Sequence, residues 1–254
     1  MEKIKNYFRR FPVLRNSYRK LWMAVQFARE GDSVGILANL GLLQKYAQVR
    51  RLKVPADLYT PEYFLGEDGC EGVNEFNESL GEKISRRLAC VLSEIKQVEG
   101  GEFLDLGCGR GEILYQLEKK AKRVVGVDYS VAAVEISRKI VRKAEVIQAD
   151  VVEFLPNYSA SPFDGILMID ITEHLYDWEL AIVFQQVDRL LRNAGCLYID
   201  TPLLVNGYSQ LHVNIKEKPE DYLQFLPNYS IEKTILTDSV GANHLIIFKK
   251  HQKG

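Results

Sequence analysis

No stretch of this chain approaches the roughly 20 consecutive apolar residues needed to cross a bilayer. The basic, aromatic N-terminus is followed by no secretory h-region and no small-residue cleavage site. Cysteine is scarce. Cys70, Cys90, Cys108 and Cys196 form no C-x-x-C pair, which argues against a disulfide framework and against a structural metal. Reduced thiols, a cytoplasmic location and no metal site are therefore expected. Net charge is also nearly absent, at −1, but its distribution is uneven. Residues 1–53 carry twelve Lys/Arg against Glu2, Glu30 and Asp32, a net +9, which leaves −10 for the remainder. Such a segment suits an anionic membrane surface or nucleic acid. A solvated helical face, or one docked on the acidic remainder, is the preferred reading.

What is present centres on residues 102–112, Glu-Phe-Leu-Asp-Leu-Gly-Cys-Gly-Arg-Gly-Glu. A short apolar run with strand character leads into Gly107, Gly109 and Gly111, and Ile113–Leu117 begins a helical pattern. Strand, glycine turn and helix make the first half of a nucleotide-binding βαβ unit. The dinucleotide pattern G-x-G-x-x-G, counted from Gly107, would place its third glycine at 112, where this chain has Glu112. A carboxylate there would repel a pyrophosphate, so a dehydrogenase is disfavoured.

The rest of the chain fits an α/β fold. Strands are expected at Phe103–Leu106, Val124–Val127, Val146–Ala149, Gly165–Ile169 and Cys196–Ile199, alternating with helical patterns. That alternation implies a parallel sheet with right-handed crossovers. Two closely linked strands, Ser230–Leu236 and His244–Lys249 through Gly241, must pair antiparallel. A short helix near Pro219–Phe225 precedes them. Ahead of the glycine turn, Leu80, Ile84, Leu88 and Leu92 predict one helix over Asn74–Ile95. Two helices are expected within residues 1–53, the first carrying a Tyr18, Leu21, Trp22, Val25 and Ala28 stripe. The expected architecture is a Rossmann-like seven-stranded sheet with a C-terminal hairpin. An N-terminal helical extension over 1–98 precedes the sheet domain, 99–254.

With Asp105 two residues before a G-x-G-x-G turn, the sequence resembles the class I S-adenosylmethionine-dependent methyltransferases from about residue 99 onward. A parallel sheet closed by a hairpin matches that family. The resemblance implies S-adenosyl-L-methionine as cofactor and S-adenosyl-L-homocysteine as product. It places Asp105 at the methionine end, with Gly107, Cys108 and Gly109 as the turn beneath the cofactor. Asp128, about twenty residues on, would accept the ribose hydroxyls, although a dehydrogenase would share that spacing. Tyr129 would lie against the adenine, Asp150 would contact its amino group, and Val151 would supply a backbone donor. Asp150 also reads as an N-cap of the next turn. Asp170-Ile171-Thr172-Glu173-His174-Leu175 is similar to the acid-x-x-Glu-His-Leu stretch of the quinone-biosynthesis and related small-molecule methyltransferases. Ile169 and Asp170 would then line the cofactor, and Glu173 and His174 would face the acceptor. Tyr63 and Phe64 are candidates for a flap over the cofactor, as aromatic segments ahead of the glycine turn are in such relatives; they also read as aromatics anchoring a loop to the core. Ala194-Gly195 stands where the family has two glycines, and one glycine is expected to suffice for the helix C-cap.

Histidine titrates near neutrality, which suits a base that removes a proton from the acceptor. His174 is the first candidate and His212 the second; in many relatives the residue at the position of His174 only shapes the loop. His244 and His251 read as structural or surface residues. There is no Asn/Asp-Pro-Pro-aromatic motif and no Pro-Cys nucleophile, which lowers nucleic-acid base methylation. The leading expectation is methyl transfer to a small-molecule or glycan acceptor, with oxygen as the acceptor atom. RNA or protein methylation through the basic segment is an alternative. A non-catalytic cofactor-binding protein is another. Oligomeric state is open.

Overall fold

A computed structural model describes residues 56–66, 72–203, 212–238 and 243–252. The helices expected within residues 1–53, the Trp22 stripe and the turn through Gly241 lie outside the described residues. The chain divides into two compact units: residues 1–53 with 208–213, and residues 54–207 with 214–254. The second unit holds the sheet. Residues 54–98, assigned by sequence to an extension, share that unit.

Strands β1 (Glu102–Leu106), β2 (Arg123–Asp128), β3 (Glu145–Gln148), β4 (Phe163–Ile169), β5 (Leu191–Pro202), β6 (Tyr229–Leu236) and β7 (Asn243–Lys250) form one sheet in the order β3-β2-β1-β4-β5-β7-β6. β1 to β5 are parallel, and β7 runs antiparallel between β5 and β6. Every residue of β1 is buried, as a central strand covered on both faces requires. Helices α1 (Pro61–Leu65), α2 (Val73–Ser79) and α3 (Arg86–Glu94) precede the sheet. α4 (Glu112–Leu117), α5 (Val131–Ile140), α6 (Val151–Phe154) and α7 (Asp177–Leu190) supply the crossovers. α7 turns Leu180, Val183, Phe184, Val187 and Leu190 into the core beside Ile166, Met168 and Leu197. Each such side chain contributes about 1.5–3 kcal/mol on burial.

Three expectations change. The single helix over Asn74–Ile95 is two. Leu80 and Gly81 take left-handed φ values of 51° and 86°, which end α2, and Leu80 is left 66% exposed. Ser85 then caps α3 by accepting from the Leu88 N–H. The left-handed residue after α7 is Ala194, φ 59°, rather than Gly195. A Cβ on Gly195 would sit 2.9 Å from the Arg192 carbonyl oxygen and from Leu191, so that glycine serves close packing. The segment at Pro219–Tyr222 is a 3₁₀ turn, short of the expected Phe225. Among the described residues, no helix is long and apolar enough to cross a membrane.

Candidate active site

β1 lies between β2 and β4, so the chain order reverses there and leaves a crevice at the carboxyl ends of the strands. The glycine turn sits at this point. Its backbone is tied to β2: the Gly107 and Cys108 N–H groups both donate to the Val127 carbonyl, at 2.7 and 3.1 Å. Gly107, Gly109 and Gly111 all have positive φ. At Gly109 a Cβ would meet only Phe64, 3.9 Å away, so this glycine keeps room beside the backbone. At Gly111 a Cβ would lie 2.2 Å from Ser137 Oγ, so this one lets α4 close against α5. Cys108 is buried; its thiol, like those of Cys90 and Cys196, is free.

Two acids flank the turn. Asp128 at the end of β2 accepts from the Gly109 N–H at 2.9 Å and the Ser130 N–H at 2.8 Å. Burial raises its carboxyl pKa, and these backbone donors oppose the rise. Each carboxylate oxygen has a second lone pair, so Asp128 can brace the turn and still accept ligand hydroxyls. Asp105 differs. It is 2% exposed, and its Oδ1 is buried with no hydrogen-bond partner among the described residues. Burial, then the charge of Asp128, pushes its pKa up to about 7. An ionised carboxylate here needs a cation or donors from outside the chain. The ammonium group of a methionine moiety has that chemistry. The open backbone at Gly109 and the unpartnered Asp105 oxygen therefore fit S-adenosylmethionine. Glu112 is turned away from such a ligand into an ion pair with Arg110, whose Nε donates to Glu112 Oε2 at 2.9 Å.

Tyr129, half-buried, follows Asp128 and packs on Tyr59 with ring centroids 5.6 Å apart. Asp150 takes the N-cap role: its Oδ1 accepts from the Val152 N–H at 2.8 Å. The Val151 side chain belongs to the core. Ile169 ends β4, and Asp170 follows with a left-handed φ of 51°. Both Asp170 oxygens are taken by Arg87, and Oδ1 also accepts from Asn243 at 3.1 Å. Arg87, on α3, pairs as well with the fully buried Asp200 of β5. Asp200 has its pKa pushed up to about 6 by burial, against the pull of Arg87. Next to it, buried Glu173 accepts from Thr201 Oγ1 at 3.2 Å, and burial with the charge of Asp170 lifts its pKa to about 8.

His174 ends a 3₁₀ turn, Thr172–His174, and its Nδ1 lies 3.1 Å from the Tyr59 hydroxyl. His212 belongs to the compact unit of residues 1–53 and 208–213. Of the two flap candidates, Phe64 is buried beside Gly109, with its carbonyl accepting from Arg110 Nη1 at 3.0 Å. Tyr63 packs edge-on against Phe64 and Tyr59.

Sequence reasoning missed three residues: Arg87, Tyr59 and Ile171. Ile171 matters because a Cβ on Gly107 would lie 3.0 Å from its Cδ1, so its side chain covers one side of the turn. Tyr59 stands four residues before Tyr63 in the same aromatic stretch, and that was its signal. Arg87 gave none, since Asp170 and Asp200 both lie more than eighty residues away.

Residues 97–239 match a family model described as a methyltransferase domain. A probable S-adenosylmethionine-dependent methyltransferase of Mycobacterium tuberculosis is 33% identical over 102 residues, covering 40% of this chain and 35% of that one. A ubiquinone biosynthesis O-methyltransferase of Actinobacillus pleuropneumoniae is 26% identical over 158 residues, covering 59% and 65%. The chain thus spans about a third to two-thirds of the length of these curated relatives. Among solved structures, the N-methyltransferase NodS of Bradyrhizobium japonicum, in complex with S-adenosyl-L-homocysteine, shares the fold. The TM-score is 0.57 at 17% identity, over 76% of this chain and 97% of that one. With the family model covering more than half of its residues, and with the glycine turn, the switch-point crevice and the terminal antiparallel strands all in place, the chain belongs to the methyltransferase-domain family.

Proposed function

We propose that this chain transfers a methyl group from S-adenosylmethionine to an oxygen atom of a small-molecule or glycan acceptor. The observation that carries the cofactor half is Asp105, a buried carboxylate with an unpartnered oxygen beside the glycine turn. Asp105 takes the methionine ammonium, the Gly107–Gly109 backbone gives the chain of the ligand room, and Asp128 accepts the ribose hydroxyls. Tyr129 stacks on the base. Asp150 and the Val151 N–H contact the adenine. Ile169 lines the crevice. Asp170, held by Arg87, acts as a wall and not as a free acid. Bound S-adenosylmethionine supplies an already activated methyl group, so transfer is an in-line displacement that leaves S-adenosylhomocysteine. The remaining task of the protein is alignment, together with removal of the hydroxyl proton.

The oxygen reading is supported by His174 at the mouth of the β4 loop and by the acid-x-x-Glu-His-Leu stretch. A hydroxyl, unlike an amine, must lose its proton during transfer, and an imidazole suits that step near neutral pH. The test starts with calorimetric titration of S-adenosylmethionine and S-adenosylhomocysteine, using Asp128→Ala as control. Micromolar binding that is lost in the variant is expected. A screen of phenols, sugars and amines follows, with His174→Ala as the second control. Methylation of a phenol or sugar that falls at least a hundredfold in His174→Ala is the expected result. Amine methylation that is insensitive to His174→Ala would replace oxygen with nitrogen. No cofactor binding would sink the enzyme reading.

A further inference from the structure

Arg87 is buried on α3, a helix that also buries Leu88 and Val91. Its guanidinium meets two strand ends. Nη1 donates to Asp200 Oδ2 on β5 and, at 2.9 Å, to Asp170 Oδ1; Nη2 donates to Asp170 Oδ2. A two-pronged pair of this kind fixes the orientation of a carboxylate as well as its distance. The backbone of Asp170 is held too, because its N–H donates to the Asp200 carbonyl at 2.8 Å. Between these ties Asp170 takes φ 51°, a left-handed value that residues other than glycine seldom adopt. Burial does not impose it, since the Asp170 side chain is 41% exposed. The guanidinium keeps the carboxylate turned inward, together with Asn243 Nδ2 at 3.1 Å.

The residue that this conformation places is Ile171. A Cβ built on Gly107 would lie 3.0 Å from Ile171 Cδ1, 3.1 Å from its Cβ and 3.3 Å from its Cγ1. Ile171 therefore fills the side of the turn where a side chain of residue 107 would stand. Gly107 opens the glycine turn, and its N–H is the one that donates to the Val127 carbonyl at 2.7 Å. A β-branched side chain is stiff at χ1, so Ile171 cannot swing to keep this contact if its backbone turns.

We propose that Arg87 is a positioning residue for the glycine turn: its fork holds Asp170 in the left-handed conformation that lays Ile171 against Gly107, and so sets how tightly the turn takes its ligand. The ligand step rests on the S-adenosylmethionine reading. The placement of Ile171 on Gly107 does not. A lysine at 87 would bring the same charge but only a point of attachment. It cannot offer two parallel N–H groups to one carboxylate and a bond to Asp200 at once. The link from α3 to the turn is thus a contiguous set of contacts, Arg87 to Asp170, Ile171 and Gly107, and coupling along it is measurable.

The test uses the full chain, ¹⁵N-labelled, with two readouts: the Gly107 amide resonance without ligand, and calorimetric affinity for S-adenosylhomocysteine. Arg87→Lys keeps a cation beside Asp200 and loses the fork. Asp170→Asn leaves the Arg87–Asp200 pair in place and covers the case in which Arg87→Lys does not fold. Each should move the Gly107 resonance and weaken S-adenosylhomocysteine binding by about three- to thirtyfold. In an Ile171→Ala background, the same substitutions should add nothing to either readout. A role confined to stability would lower the unfolding midpoint and leave both readouts at their wild-type values in the folded protein. That outcome overturns the proposal, and so do effects that add in full to those of Ile171→Ala. If the wild type binds no S-adenosylhomocysteine, the cofactor reading fails, and the Gly107 resonance alone upholds or overturns the placement of the turn by Arg87.

Discussion

On the β1–β2 side of the crevice, the acids are met by backbone or by nothing. Asp128 accepts two N–H groups from its own loop and from the glycine turn, and Asp105 Oδ1 has no hydrogen-bond partner among the described residues. On the β4–β5 side, Asp170 and Asp200 share the guanidinium of Arg87, and Thr237 Oγ1 adds a bond to Asp200 at 2.8 Å. One edge leaves charge uncompensated; the other neutralises it within the fold. The first would favour a cation from outside the chain, and the second is held by its own side chains. Burial is similar for Asp105 and Asp200, so the partner decides the role of each carboxylate, and depth does not.

The comparison breaks most visibly at Arg87. Replacing it with Met leaves Asp200 buried without its cation, and a loss of about 3–5 kcal/mol is expected in denaturant unfolding. Asp200→Asn combined with Arg87→Met should recover part of that loss. Failure to recover any would mean that Arg87 acts through packing alone.

Asp105 sharpens the contrast through pH. Its folded pKa of about 7 lies above the unfolded carboxyl value, so the native state binds the extra proton between about pH 4 and 7. Stability of the cofactor-free protein must then fall as pH rises through that window, and level off for this group above it. Asp200, at about 6, and Glu173, at about 8, contribute with the same sign. Asp105→Asn should remove up to about 1.4 kcal/mol per pH unit of that slope, read from thermal unfolding at several pH values. In the wild type, S-adenosylmethionine should bind with proton release near pH 7, measured by calorimetry in buffers of different ionisation enthalpy. A slope unchanged in Asp105→Asn would place the titration elsewhere.

The brace on the glycine turn is a smaller effect. Asp128→Asn keeps the size of the side chain but weakens two bonds from backbone N–H groups to an ionised acceptor, and about 1–3 kcal/mol of stability should be lost. Amide exchange of Gly109 should rise with it. The smallest change is a gain: Ala194→Gly relieves a left-handed residue and should stabilise the chain by about 1 kcal/mol.

The glycine turn, the five parallel strands and the terminal antiparallel pair were legible because each is written in contiguous residues. A run of apolar residues ends in an acid, a turn needs positive φ, and closely linked strands can only return antiparallel. Helix limits were less legible. The Leu80–Leu88 periodicity runs on through a break that the backbone makes at Leu80 and Gly81, because periodicity senses faces and not φ. The same holds at Ala194, where the chain puts the left-handed residue one position before its glycine.

The sequence by itself determined the class of fold, the position of the ligand crevice and the acids at the strand ends, since local backbone preference and alternation of strand and helix carry that information. Only the tertiary structure decided what each acid does. Asp105 Oδ1 lacks a partner among the described residues, Asp150 caps a helix, Asp170 is clamped by Arg87, and His174 meets Tyr59 across 115 residues. Burial and pairing are set by residues far apart in the chain, and no local pattern records which distant side chain will arrive.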